Sequence, residues 1–177
     1  TWPGGGKSDL YRASRADSSE DFGAFASISE LNTPENEYDP LLSADGRRLY
    51  FMRGSAASNS LMVAERASAT AAFEAAQVLP GFADSPGRDD NPSLSPDETL
   101  IFFASDRPGG AGGKDVWYAT RSELESEFGD FRPVPVINTV DNEGEPFLFG
   151  CELYFSSDQP GTQGGEDLYR THIVSAP

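Results

Sequence analysis

The sequence of 177 residues lacks the residues that several classes of protein need. Cys151 is the only cysteine, so neither an intrachain disulfide nor a cysteine-based zinc cluster can form. His172 is the only histidine, which argues against a histidine-dependent nucleophilic triad. Apolar runs such as residues 100–104 fall far short of the roughly 20 residues that span a bilayer. We therefore expect no disulfide scaffold and no membrane-spanning helix.

Basic residues are also scarce. Thirteen Lys and Arg stand against 29 Asp and Glu, which gives a formal net charge of −16 at pH 7. This charge disfavours the phosphate backbone of nucleic acids and anionic membrane surfaces, and it favours cationic partners. No signal peptide is visible at the start, where residues 1–4 lack both a basic end and an apolar segment.

One pattern occurs three times along the chain. Each copy contains a proline, then a tight turn, and then a β-rich run that ends in an aromatic residue. The copies cover residues 38–51, 90–103 and 144–155, and their prolines are Pro40, Pro92 and Pro146, roughly 50 residues apart. A repeat of about this length with four short strands indicates the blade of a β-propeller.

Two further elements recur with the same period. A short strand follows Asp9, Ser60, Asp115 and Asp167, and Asp115–Thr120 is its clearest copy. A large apolar residue also stands six positions after a Phe in residues 25–31, 73–79 and 131–137, which predicts that both side chains face one side of a strand. Residues 68–77 are rich in alanine, but they match this spacing, so we predict a strand there rather than a helix.

These repeats predict an all-β fold, a β-propeller of four-stranded antiparallel blades. The phase of the repeat divides the chain into an outer half blade (1–31), two complete blades (32–79 and 80–137) and a blade that lacks its outermost strand (138–177). Three blades and a fraction are fewer than the roughly four that close a propeller. We therefore expect part of a larger propeller or a chain closed by a partner copy, with open strand edges that permit self-association.

The repeat resembles the PD40, or WD40-like, β-propeller repeat. The resemblance rests on residues 92–97, 101–110 and 114–118, and residues 137–146 with 153–158 are similar to the variety found in cell-envelope proteins. The sequence departs from this pattern at residues 53–58 and at Gln159. The resemblance implies the TolB-like family, proteins often associated with OmpA-like domains, and a periplasmic, outer-membrane-associated or secreted location.

Acidic residues precede each of the three prolines. Counted back from each proline, they occupy the third and first positions: Glu37 and Asp39, Asp89 and Asn91, Glu143 and Glu145. If the proline strands are innermost, these side chains would ring one mouth of the channel and bind a ligand. The ligand would be Lys or Arg groups or, with oxygen ligands, Ca²⁺, for which Glu37, Asp39, Asp89, Glu143 and Glu145 are the candidates. The alternative is that the carboxylates accept hydrogen bonds from turn amides in every blade.

The remaining acidic sets recur with the blades, and we interpret them as structural. They are Asp9, Asp115 and Asp167, and Asp106 and Asp158, which would hold the glycine-rich connections. Gly6-Lys7-Ser8 does not fit a phosphate-binding loop, because Thr1 stands where the motif needs a glycine.

These observations favour a non-catalytic binding module without a cofactor. By the resemblance, its partner would be an envelope protein or a basic, extended peptide at the channel mouth. The alternatives are a propeller-fold glycoside hydrolase or lyase, with a carboxylate pair about 5–9.5 Å apart, and an accessory propeller of a peptidase.

Overall fold

The structure, a computed structural model, describes residues 8–55, 58–161 and 163–173, and it excludes the side chain of Ser58. Gly6 and Lys7, and the part of the half blade before Ser8, lie outside the described residues. The described residues form thirteen strands. They are β1 (Tyr11–Arg12), β2 (Ala26–Ser27), β3 (Asn36–Leu42), β4 (Arg48–Ser55), β5 (Ser58–Glu65), β6 (Gln77–Val78), β7 (Asp89–Leu94), β8 (Leu100–Ser105), β9 (Asp115–Thr120), β10 (Gly129–Pro133), β11 (Glu143–Phe149), β12 (Glu152–Ser157) and β13 (Asp167–His172).

The strands form four sheets in chain order. β1 and β2 make a two-stranded sheet, β3 to β6 and β7 to β10 make two four-stranded sheets, and β11 to β13 make a three-stranded sheet. Each strand pairs with its neighbour in sequence, as in a meander. The all-β prediction is confirmed, and residues 68–77 contain no helix. Within the described residues, no helix is long and apolar enough to cross a bilayer.

The chain divides into two compact units, residues 1–77 and residues 78–177. The core of the first unit joins the two-stranded sheet to β4 and β5. Its buried side chains are Leu10, Ile28, Leu31, Leu49, Phe51, Met62, Ala64 and Phe73. A two-stranded sheet is only marginally stable alone, so this shared apolar core fixes β1 and β2 against the four-stranded sheet.

The core of the second unit joins its two sheets. Phe102 and Val116 of the four-stranded sheet pack with Leu153 and Phe155 of the three-stranded sheet, and Tyr169 stacks on Phe155. β11 lies beside β7 and β8, and the Leu148 backbone N–H donates to Ser93 Oγ at 2.9 Å. Within each unit, the two sheets therefore cover each other's apolar faces, as the repeat of aromatic residues predicts.

The interpretation of the Phe-to-Leu spacing as one continuous strand is wrong. The strands at these positions cover only residues 26–27, 77–78 and 129–133, and the large apolar residue lies beyond each strand's end. After β2 the chain turns, with the Leu31 N–H donating to the Ile28 carbonyl at 2.9 Å. Leu31 and Leu79 are buried nonetheless, because the linker that follows each strand folds back onto a core.

Candidate functional site

The three proline strands share an irregularity at the proline. The pairing of β3, β7 and β11 with the next strand shifts register between Tyr38 and Leu41, between Asp90 and Ser93, and between Gly144 and Phe147. Proline cannot donate to a ladder, so within a sheet it is confined to edges and bulges such as these. The residue before each proline has a positive φ, 51° at Asp39, 53° at Asn91 and 49° at Glu145. We call these three residues the bulge residues.

Glu37 lies two residues before the first bulge residue and is 1% exposed. Its carboxylate accepts hydrogen bonds from Thr33 Oγ1 at 2.6 Å and from the Thr33 backbone N–H at 3.2 Å. Arg53 Nε donates to the same carboxylate at 2.9 Å, and the Arg53 guanidinium also donates to the Leu31 carbonyl at 2.6 Å. Glu37 therefore ties the linker before β3 to β4.

Asp89 occupies the equivalent position on β7 and is 4% exposed. One guanidinium nitrogen of Arg107 lies 2.8 Å from each of its carboxylate oxygens, and Ser105 Oγ donates at 2.7 Å. The Arg107 guanidinium in turn lies over the ring of Phe131, 4.4 Å from its centroid. A buried, hydrogen-bonded ion pair thus joins β7 to the loop that follows β8.

Glu143 occupies this position on β11 and has no exposed surface. Thr139 donates to it through its backbone N–H and its hydroxyl, both at 2.7 Å, and Ser157 Oγ donates at 2.8 Å. These donors are neutral, and Gln159 stands where the middle copy has Arg107. Hydrogen bonds to buried carboxylates are strong, and they satisfy the charge here without a cation.

The six predicted site residues therefore fall into two sets. Glu37, Asp89 and Glu143 are buried and bonded to their own sheets, whereas the bulge residues Asp39 and Asn91 are half-buried and Glu145 is exposed. Glu37 and Asp39 belong to the first unit, and the other four belong to the second. Within the second unit, Asn91 and Glu145 lie at corresponding positions of the neighbouring strands β7 and β11.

A linker motif places the buried glutamates, and the sequence analysis did not identify it as a repeat. The pattern Asn-Thr-x-x-Asn-Glu occurs at residues 32–37 and 138–143. Its first Asn bonds the backbone of Leu10 or Val116, its Thr bonds the glutamate, and its second Asn accepts from the backbone N–H of Ser8 or Lys114. The identical spacing of the two copies is visible in the sequence. The linker of the remaining blade, residues 79–89, is longer and lacks the pattern.

Two of the other recurring aspartates, Asp115 and Asp167, hold glycine-rich connections, as predicted, whereas Asp106 and Asp158 bond the linkers before β7 and β11. Asp115 accepts from the backbone N–H groups of Ala111 and Gly112 at 3.0 and 3.2 Å, and Asp167 accepts from that of Gln163 at 3.0 Å. Asp158 accepts from the side chain and the backbone of Asn142, and these bonds hold its pKa below the ordinary value. The aspartates of the tight turns behave alike, because the hydroxyls of Ser43 and Ser95 lower the pKa of Asp45 and Asp97.

A buried carboxylate that does not recur lies beside the second bulge. Asp90 is 3% exposed, and its carboxylate lies 2.7 Å from Lys114 Nζ and 3.4 Å from the Arg88 guanidinium. The corresponding residues on β3 and β11 are Tyr38 and Gly144. An unrepeated carboxylate is a candidate for catalysis, but this one is neutralised by two cations.

The first unit also contains a cleft of about 800 Å³ that the sequence did not suggest. It lies beside β1, and its lining includes Tyr11, Leu42, Phe73 and the arginines Arg12 and Arg66. Arg66 is engaged there, since it donates to the Gly46 carbonyl at 2.6 Å and lies over the ring of Phe73. Among the described residues, no group of three or more His, Cys, Asp or Glu side chains is arranged to hold a metal ion.

Comparison with known proteins assigns the fold. No family model matches the sequence, and no curated protein matches it. Among solved structures, the chain is similar to TolB from Acinetobacter baumannii, with a TM-score of 0.57 and 15% sequence identity, over 86% of this chain. The match covers 33% of the TolB chain, so this chain spans about a third of the length of the protein it matches. The chain therefore has a TolB-like β-propeller fold, in which its four-stranded sheets correspond to blades.

Proposed function

We propose that this chain is a non-catalytic binding module in which the bulge residues of the second unit, Asn91 and Glu145, contact a basic, extended segment of a partner protein. The observation that carries the proposal is the placement of Asn91 and Glu145 at corresponding positions of two neighbouring strands, β7 and β11. Their backbone conformations are fixed by the bulges and by the buried carboxylates of Asp89 and Glu143. A preorganised polar surface loses little conformational freedom on binding, which favours affinity.

Charge supports a basic partner. Glu145 is exposed, and the chain as a whole has a net charge of −16. Summed charge of one sign speeds the approach of an oppositely charged partner and selects against wrong ones. In this proposal Glu37, Asp89 and Glu143 position the bulge residues, and the module needs no cofactor. Ca²⁺ is the competing cation to be tested.

The similarity to PD40 repeats and to the TolB fold supports a cell-envelope setting. The partner would then be another envelope protein, in the periplasm or at the outer membrane. A glycoside hydrolase or lyase would instead need two carboxylates about 5–9.5 Å apart around one sugar. Asp90, the buried carboxylate that does not recur, is ion-paired with Lys114 and Arg88, which favours a structural role over an acid–base role.

Glu145→Gln is expected to weaken the binding of a lysine-rich peptide by about two- to fivefold, the effect of one exposed charge. Fluorescence anisotropy of the labelled peptide measures this, and the effect should shrink at high salt, where charges beyond about 8–10 Å are screened. Glu125→Gln is the matched control. Glu125 is exposed in the connection after β9, at the end of the sheet opposite the bulge.

Two outcomes would contradict the proposal. One is an unchanged affinity in Glu145→Gln, and the other is an equal loss of affinity in the Glu125→Gln control. Displacement of the peptide by millimolar Ca²⁺ only in the chain with Glu145 intact would show that a cation competes at the bulge.

A further inference from the structure

The linker between β10 and β11, residues 134–142, is held to the second unit by its own polar side chains. Asn138 accepts from the Val116 N–H and donates to the Val116 carbonyl, both at 2.9 Å. Thr139 donates to the buried carboxylate of Glu143 through its backbone N–H and its hydroxyl. The linker is therefore anchored on both sides, to β9 and to the first residue of β11.

The loop between β8 and β9 lies against the same linker. A Cβ atom at Gly112 would clash with the backbone of residues 139–141, so only glycine permits this close approach. The Gly113 N–H donates to the Asp141 carbonyl at 3.2 Å. The backbone of the linker is thus fixed by hydrogen bonds and by close packing, and a partner that binds it loses little additional conformational freedom.

This fixed linker presents two apolar side chains to solvent. Val136 is 100% exposed and Val140 is 84% exposed. They stand two residues before and two residues after the Asn of the Asn-Thr pattern, where the first unit has Glu30 and Pro34, both exposed. Because the fold accepts a glutamate at the first of these positions, packing does not explain the valine. We call Val136 and Val140 the exposed valines.

Val136 is also strained. It follows Pro135 and has a φ of 75°, whereas the residue with positive φ after Pro80 is Gly81, at 94°. A positive φ is rare for a β-branched residue, and such conformations occur preferentially at functional sites. The Val136 side chain is fully exposed, so no packing among the described residues offsets the strain. Strain and full exposure therefore point independently to a role in contact with another molecule.

The surrounding charge indicates the chemistry of that molecule. Residues 133–149 contain three acidic side chains, those of Asp141, Glu143 and Glu145, and no basic one. Glu145 is the residue that the proposed function assigns to a basic segment. It follows Val140 by five residues, a path of at most about 17 Å of extended chain. One short extended segment is therefore long enough to reach from Glu145 to the exposed valines.

We propose that the exposed valines bind aliphatic side chains of the same basic, extended segment that contacts Glu145. This inference rests on the proposed function and adds a second requirement to the partner. Its segment carries a large aliphatic side chain about five residues from the basic side chain that pairs with Glu145. Apolar contacts on a rigid surface give a selectivity that charge attraction alone does not supply.

Two peptides of equal length and charge test the proposal against the whole chain. One contains lysine and serine only, and in the other two serines are replaced by leucine. By fluorescence anisotropy, the leucine peptide should bind about tenfold more tightly. Val136→Ser and Val140→Ser should each weaken binding of the leucine peptide by about three- to fivefold and leave the serine peptide unchanged. Glu145→Gln should weaken both peptides.

Phe149→Ser is the matched control. Phe149 is 69% exposed in the same unit and lies at the end of β11 opposite the linker. All three side chains are exposed, so folding should be retained in the serine variants. Because Phe149 presents a larger apolar surface than either valine, general stickiness of the leucine peptide would be reduced most in this variant.

Val136→Gly separates a binding role from a structural one. Glycine adopts a positive φ without strain, so the urea midpoint should rise in this variant. Affinity for the leucine peptide should nevertheless fall, because the side chain is gone. A residue that serves only the turn would show the rise in stability and no loss of affinity, and that result would overturn the proposal.

The remaining outcomes distinguish this inference from the proposed function. Equal affinities of the two peptides, or an equal loss in Phe149→Ser, would overturn the valine site and leave the Glu145 contact standing. Losses in the valine variants with no effect of Glu145→Gln would overturn the proposed function and, with it, the single segment inferred here. Self-association that Val136→Ser abolishes would also overturn the proposal, because a second copy would then be the occupant.

Discussion

Arg107→Ala is expected to cost about 3–5 kcal/mol of unfolding free energy, the usual effect of removing one partner of a buried ion pair. The substitution leaves the Asp89 carboxylate, 4% exposed, with Ser105 as its remaining donor. It also removes a guanidinium that lies over the rings of Phe103, Trp117 and Phe131. Urea unfolding followed by tryptophan fluorescence measures the loss, since Trp117 lies beside Arg107.

Two controls separate the ion pair from general effects of arginine. Arg132→Ala removes an exposed arginine from β10 and should change stability by less than about 0.5 kcal/mol. The double variant Arg107→Met with Asp89→Leu should recover part of the loss, because replacing a whole buried pair by apolar residues is often close to neutral. A loss below about 1 kcal/mol in Arg107→Ala would show that the ion pair between Arg107 and Asp89 contributes little to the stability of the sheet formed by β7 to β10.

Asn138→Ala is expected to cost about 1–3 kcal/mol, the penalty for leaving a buried backbone N–H without an acceptor. The affected group is the Val116 N–H, since the Val116 carbonyl keeps its bond from the Val134 N–H. The amide hydrogen of Val116 should also exchange faster with solvent in the variant. Asn32→Ala should reproduce the stability effect in the first unit, where Leu10 is the counterpart.

Val140→Ala is the control for this prediction, because Val140 lies in the same linker with an exposed side chain. Equal urea midpoints for Asn138→Ala and Val140→Ala would show that the hydrogen bonds of the Asn138 side chain to Val116 of β9 do not stabilise the fold.

Much of the fold could be predicted from the sequence, because strand and turn signals are local. The strand Asp115–Thr120 and the strand numbers of the four sheets follow from short alternating runs and from the phase of the repeat. The short fourth strands were misjudged for a reason that is not local. Leu31 is buried by a linker that folds back onto a core, and a spacing of six residues does not distinguish that path from a strand.

The division of the predicted site residues into a buried set and a more exposed set could not be predicted, for two physical reasons. In a regular strand, Glu143 and Glu145 would share a face, but the bulge breaks the alternation and leaves one buried and the other exposed. The donors that allow the burial also repeat only in part. A linker Thr bonds Glu37 and Glu143, a Ser on the paired strand bonds Asp89 and Glu143, and an Arg at two different positions, 53 and 107, bonds Glu37 and Asp89. Because no donor is shared by all three copies, the repeat alone does not identify the partner of each acid.

The central claim is that the buried carboxylate before each bulge stabilises its sheet, whereas the bulge residue after it contributes little to stability. The most direct test compares the unfolding free energies of Glu143→Ala and Glu145→Ala, which remove the same atoms from two positions on one strand. Glu143→Ala should lose at least about 2 kcal/mol, because Thr139 and Ser157 lose their acceptor. Glu145→Ala should change by less than about 0.5 kcal/mol, as exposed substitutions do. Equal losses, or a greater loss in Glu145→Ala, would contradict the claim.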